Sequence, residues 1–316
     1  VITFLFWRWS RETSFFLSPL GSSRIKPKPA SKPLKKYRLE ELKKRAGKAN
    51  KIVLEKELEQ HSKFSSYLFS FKSEGRRITG MANIPRGEIS FPVVVMLRGY
   101  VDRKDYQTGV GTRRAAQVYA ENGFLTLAPD FLGYGGSDMP PNNVWEERFL
   151  RPVAIVDLLA SIRSLDQADE KNIFLWGHSN GGMIALVVLE ITGKDYPATL
   201  WAPVSQFFPY DILYYTYEFD DGGKALRKSL AEFEEAYDVN KFSFDKYLRW
   251  IQAPVQVHQG TADKYIPLWW SEELIKKLKD LNKEAVLYTY PDADHNMNGA
   301  WNKVVQKDLL FFKENL

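Results

Sequence analysis

Ile173-Phe174-Leu175-Trp176-Gly177-His178-Ser179-Asn180-Gly181, followed by the apolar helical pattern from Met183 to Ile191, decides the fold of this chain. An apolar run, a turn flanked by glycines and an apolar helix describe a strand that enters a helix through one sharp corner, with Ser179 at its apex. Glycine is needed on both sides because the serine is held in a strained conformation, and any larger neighbour would meet the adjoining strand or helix. Serine also caps ordinary helices, and glycines at this spacing recur by chance, so the surrounding chain has to decide between the two meanings.

Such a corner predicts two partners in the order Ser, then Asp or Glu, then His, each on a loop after a later strand of the same sheet. Val255-Gln256-Val257-His258 has the composition of a buried strand and leads into Gln259-Gly260-Thr261-Ala262-Asp263, which puts Asp263 just past the strand's carboxyl end. An amphipathic helix over 268–281 and an alternating strand over 285–290 come next, and then the loop Pro291-Asp292-Ala293-Asp294-His295-Asn296. Ser179 is therefore the candidate nucleophile, Asp263 the orienting acid and His295 the base. Asp292 and Asp294 compete with Asp263, but they share a short loop with His295, from which a carboxylate seldom reaches the imidazole in the needed geometry. His178 is expected to pack beside the corner, His258 to sit at a strand end and His61 to be solvated. With 4 histidines and 0 cysteines the chain offers no cluster at zinc-ligand spacing, and no metal is expected.

At 316 residues, with 44% hydrophobic and 14% aromatic content, the chain suits one large α/β domain with appendages and excludes disorder for its bulk. The net charge of +5 is unevenly placed: residues 1–60 hold 15 Lys and Arg against 6 Asp and Glu, leaving 29 against 33 for the remainder. The basicity thus belongs to the front of the chain, without the aromatic and basic interleaving of a nucleic-acid groove. The first residues, Val1 to Trp7, are apolar but broken by Arg8, Arg11 and Glu12. They make neither a spanning helix nor a tidy signal peptide. Lys26-Pro27-Lys28-Pro29-Ala30-Ser31-Lys32-Pro33 suits an extended linker. Residues 1–49 are expected to be a basic tail or tether to a membrane or surface, and 50–316 the catalytic domain. The lack of cysteine suits a cytoplasmic or an exported protein equally.

From residue 50 the pattern predicts strands over 51–58, 64–72 and 77–84, the last two joined at Ser73-Glu74-Gly75. Val93-Val94-Val95-Met96-Leu97 suits a central parallel strand buried on both faces. A helix over 112–122, a strand over 124–128, a Gly-rich turn over 130–138, a helix over 146–165 and a strand at 198–201 continue the alternation. Strands separated by helices give a mostly parallel sheet covered on both faces. Neither a phosphate loop nor a dinucleotide fingerprint follows the first parallel strand, so no nucleotide cofactor is expected.

The corner, the Asp and His loops, the opening strands with Ser73-Glu74-Gly75-Arg76-Arg77-Ile78-Thr79-Gly80 and the turn after Asp130 together resemble the catalytic domain of the prolyl oligopeptidase family of α/β-hydrolases, over roughly 50–316. The resemblance implies the same three roles for Ser179, Asp263 and His295. It also implies an oxyanion hole built from the backbone N–H of Asn180 and a donor in the loop after Leu97. Many relatives carry His-Gly or Tyr-Gly in that loop, whereas this chain has Arg98-Gly99-Tyr100; the Tyr100 N–H is the expected donor, with the Arg98 side chain as the alternative. Family members that cleave peptides bear a propeller ahead of the hydrolase domain. Nothing in the first fifty residues could build one, which favours small acyl or aromatic esters as substrates over short peptides. An insert at about 204–250, rich in Phe and Tyr and with a helix over 224–237, is expected either to form an aromatic lid over the site or to pack on the sheet with its rings buried. Arg98, Tyr214 and Trp269 are the candidate substrate contacts.

Overall fold

A computed structural model describes residues 32–87 and 90–316. Residues 1–31 of the expected 1–49 tether lie outside them. The strands are β1 (Val53–Gln60), β2 (Phe64–Ser73), β3 (Arg76–Pro85), β4 (Phe91–Leu97), β5 (Leu125–Pro129), β6 (Ala168–His178), β7 (Ala198–Trp201), β8 (Val255–Gly260) and β9 (Ala285–Tyr290). They form one sheet in the order β1-β2-β3-β5-β4-β6-β7-β8-β9. The first three strands and β5 pair antiparallel, and every pair from β5 through β4 to β9 is parallel. Val93 to Leu97 are 0% exposed, as the unbroken apolar run requires of a strand covered on both faces. Ser73 pairs with Arg76, so the hairpin turn is the two residues Glu74 and Gly75, with φ of 48° and 77°. Two successive positive φ values match the right-handed twist of the strands they join.

The helices are α1 (Leu39–Lys44), α2 (Arg113–Glu121), α3 (Val144–Ser161), α4 (Asn180–Thr192), α5 (Tyr210–Leu213), α6 (Lys224–Ala236), α7 (Leu268–Asp280) and α8 (Trp301–Glu314). Among the described residues none is long and apolar enough to cross a membrane. The chain is an α/β-hydrolase fold, as the alternation of strands and helices predicts. The sequence reading assigned no element to 301–314, where α8 packs Val304, Val305 and Phe312 into the core.

The expected boundary at residue 50 needs correction, because the packed body begins at Leu34. Leu34, Tyr37, Leu39 and Leu42 are buried in the main core, and each buried leucine removes enough apolar surface to contribute about 1.5–3 kcal/mol. Arg45 forms a two-pronged ion pair with the buried Asp157 of α3, which also accepts from the Lys48 N–H and the Ser73 hydroxyl. The lysine-rich composition hides these few apolar residues, of which Tyr37 packs on Phe149, more than a hundred residues away.

The insert between β7 and β8 has six of its thirteen aromatic rings buried, and Phe207, Tyr217 and Phe219 are exposed. Phe208, Phe233 and Phe242 pack on Trp145 and Phe149 of α3, and Leu34 donates its N–H to the Tyr237 hydroxyl. Tyr214 and Tyr215 are only partly buried, and Tyr217 lies exposed beyond them.

Candidate active site

The corner after β6 is built as its glycines demand. Ser179 has φ 54° and ψ −120°, a conformation that costs a non-glycine residue about 1–3 kcal/mol and persists only where its surroundings fix it. Here the Ser179 N–H donates to the Trp201 carbonyl of β7, and its own carbonyl accepts from the N–H groups of Gly182 and Val204. A Cβ on Gly181 would stand 1.8 Å from the Leu97 carbonyl oxygen, and one on Gly177 would stand 2.7 Å from that of Gly181. Both glycines are therefore steric necessities, and the serine sits at the carboxyl end of the sheet at the start of α4.

Asp263 and His295 come together across 32 residues, with Nδ1 of His295 2.8 Å from Oδ2 of Asp263. An ionised carboxylate can only accept, so Nδ1 carries the proton. The other carboxylate oxygen accepts from the N–H groups of Tyr265 and Ile266, and Gln259 Nε2 donates to Oδ2. Burial pushes the Asp263 carboxyl up, but the His295 bond and the two backbone donors outweigh it and leave it below the ordinary aspartate value. Asp294, a competing acid, instead caps its own loop through the N–H groups of Asn296 and Asn298 and the Asn298 carboxamide. Asp292 donates its N–H to Thr261.

His178 joins the Ser179 corner to the His295 loop. Its Nε2–H donates to the carbonyl of His295 over 2.9 Å, and the two rings lie 4.6 Å apart. Burial and the neighbouring imidazole push His178 down to about 4, so it stays neutral at neutral pH. Tyr265 lies 5.3 Å from the His295 ring, ring centre to ring centre, and its carbonyl accepts from the Tyr215 hydroxyl at 3.3 Å. Among the described residues no hydrogen bond joins Ser179 Oγ to His295, a looseness common in unliganded hydrolases.

The loop after β4 approaches the serine closely: a Cβ on Gly99 would stand 3.1 Å from the Ser179 Cβ. Tyr100, 75% exposed, follows it. Arg98 takes another course from the one expected. It is 5% exposed, with its guanidinium 4.0 Å from the Tyr134 ring centre and 4.4 Å from that of Tyr106. It donates to the carbonyls of Gly99 and Asp130. Arg98 thus clamps this loop to the Gly-rich turn; its burial between two tyrosine rings, with two of its nitrogens bonded to carbonyls and only Nε left without a partner, counts against the expected substrate contact. Tyr214 leans on Trp270 at 4.9 Å, while Trp269, 47% exposed, sits in the first turn of α7.

The sequence reading missed a second histidine–aspartate pair. His258 lies inside β8, not at a strand end, with Nε2 3.0 Å from Oδ1 of Asp308 on α8, and both are 0% exposed. Tyr119, Thr199, Trp201 and Gln256 all donate to the same carboxylate. An aspartate on the apolar face of an amphipathic C-terminal helix was the available signal.

The sequence model of the prolyl oligopeptidase family matches residues 111–316. An uncharacterized peptidase, YtmA, of Bacillus subtilis (strain 168) is 25% identical over 259 residues, covering 79% of this chain and 93% of that protein. Among solved structures, acetyl xylan esterase 1 from Thermoanaerobacterium sp. JW/SL YS485 superposes with a TM-score of 0.62 at 18% identity, covering 88% of this chain and 94% of that one. The acylaminoacyl peptidase of Pyrococcus horikoshii superposes with a TM-score of 0.61 at 20% identity over 81% of this chain, which spans only 42% of that one. At these identities the superpositions speak for the fold, whereas the family match extends over most of the chain and takes in the corner and both loops. The chain is a serine hydrolase and belongs to the prolyl oligopeptidase family.

Proposed function

We propose that this enzyme cleaves carboxylic esters through an acyl-enzyme on Ser179, with His295 as base and Asp263 holding its tautomer. The carrying observation is the 2.8 Å contact between His295 Nδ1 and Asp263 Oδ2, beside a serine in a strained corner. With Nδ1 protonated, the free Nε2 is the atom that takes the serine proton during attack and returns it to the leaving group. The N–H of Asn180, in the unpaired first turn of α4, and that of Tyr100 would hold the oxyanion; each such donor typically accounts for a hundredfold to a thousandfold in rate. The half-exposed edge formed by Tyr214, Tyr215 and Trp269 would act as a rim over the acyl group.

Esters are favoured over peptides because the acetyl xylan esterase aligns along nearly its whole length, whereas the acylaminoacyl peptidase does so over less than half of its own. The similarity to YtmA, named a peptidase, supports the second reading, cleavage of short peptides. Hydrolysis of a p-nitrophenyl ester is compared with that of the matched p-nitroanilide, with Ser179→Ala as blank. A large ester preference is expected; comparable anilide cleavage would overturn the ester assignment in favour of the peptidase.

A further inference from the structure

A cavity of about 520 Å3 is lined by His178, the start of α2 and the loop that follows His295. Its size falls among small-molecule sites, at about 300–1,000 Å3. Its wall carries two arginines and four carboxamides and no aspartate or glutamate. The two arginines differ. Arg113 is already paired with Glu59 at 2.6 Å. Arg114 lies over Trp301, its guanidinium carbon 3.7 Å from the ring centre, and its side chain has no carboxylate partner or hydrogen bond among the described residues. Stacking engages the face of a guanidinium, while its five N–H donors lie in the plane and stay available. The side chains of Gln107 and Asn296 on the same wall likewise hold no hydrogen bond among the described residues.

We propose that this cavity binds a flat organic carboxylate, with Arg114 as its counter-charge, Trp301 beside its apolar part and the Gln107 and Asn296 carboxamides as further donors. The chemistry follows from the wall: the unpaired guanidinium donors of Arg114, the aromatic surface of Trp301 and the lack of any aspartate or glutamate favour a carboxylate over a cation, and the carboxamides can donate to it. Asn296 follows His295 directly, and His178, which lines the cavity, has its ring 4.6 Å from that of His295, so the carboxylate is either carried by the substrate itself or belongs to a separate effector. The substrate version rests on the function proposed above; the binding itself does not.

The test titrates full-length Ser179→Ala protein calorimetrically with benzoate and, as the uncharged isostere, benzamide. Benzoate should bind at least about tenfold more tightly than benzamide. Arg114→Gln should lose about tenfold in benzoate affinity and Arg114→Lys should recover part of it. Equal affinity for the two probes, or benzoate binding unchanged in Arg114→Gln, overturns the proposal. Arg114 is exposed, so both variants should fold, and a thermal melt checks this. In the wild-type enzyme, competition of benzoate against a p-nitrophenyl ester assigns the site to a substrate carboxylate. A change in kcat without a change in KM assigns it to an effector, and either result supports carboxylate binding. A protein whose Ser179 fails to react with a fluorophosphonate would sink the catalytic assignment and leave the titration standing.

Discussion

Two histidine–aspartate pairs lie beside β8, one past its carboxyl end and one on its flank, and they differ in what surrounds them. His295 and Asp263 meet on loops past the ends of β9 and β8, partly open to solvent on the imidazole side and next to a strained serine. His258 and Asp308 meet at almost the same separation between β8 and α8, with no exposure and with four other donors on the carboxylate. A pair on loops near the strained Ser179, with its imidazole partly open to solvent, can exchange a proton with a substrate. A pair sealed between strand and helix can only tie the two together, because no substrate atom reaches it. Proximity of the two residue types is therefore not what makes the outer pair a catalytic candidate; position at the sheet's carboxyl edge is.

The largest test of that contrast removes the nucleophile. Ser179→Ala should lower kcat by about five to six orders of magnitude while leaving the melting temperature nearly unchanged, since no buried apolar surface is lost; near-normal turnover would break the assignment. The mirror experiment is Asp308→Ala, which leaves four donors and the His258 ring facing an empty site. A loss of about 3–5 kcal/mol in unfolding free energy by denaturant titration is expected, with activity per folded molecule retained. An Asp308→Ala enzyme that is stable but inactive would reverse the roles given to the two pairs.

A smaller effect separates the histidines by pH. His178 is held down to about 4 in the folded protein against an ordinary value of about 6.5, so the unfolded chain takes up a proton at a pH where the folded one refuses it. Stability should fall as pH drops from about 6.5 to 4, by up to about 3 kcal/mol. His178→Gln should flatten that slope in a series of thermal melts. Asp211, raised by burial to about 6 despite its contact with Arg148, acts in the opposite sense over part of this window. The informative quantity is therefore the difference between the variant and wild-type curves. The smallest expected effect belongs to Tyr100→Ala. If the oxyanion donor is the backbone N–H, truncating an exposed ring should change kcat only a few-fold, whereas a hundredfold loss would transfer the role to the side chain.

The elements legible in the sequence were those with a local physical cause. The corner at 177–181 was legible because a crowded turn excludes every side chain at two positions. β4 and β8 were legible because burial on both faces demands an unbroken apolar run. The packing of 34–49 was not, since its lysines dominate the composition while Leu34, Tyr37, Leu39 and Leu42 do the packing. Arg98 was misassigned for a related reason: a charge near a serine suggests recognition until three aromatic rings and two carbonyls are seen to enclose it.

By itself the sequence determined the α/β alternation, the strained serine and the order of its two partners, all of which follow from short-range sterics and periodicity. Only the tertiary structure decided which histidine is sealed and which is open, that Arg98 is a clamp, and that a cavity without an aspartate or glutamate in its wall adjoins His178. These depend on contacts between residues tens to hundreds of positions apart, and one chain read alone carries no period or spacing that encodes them.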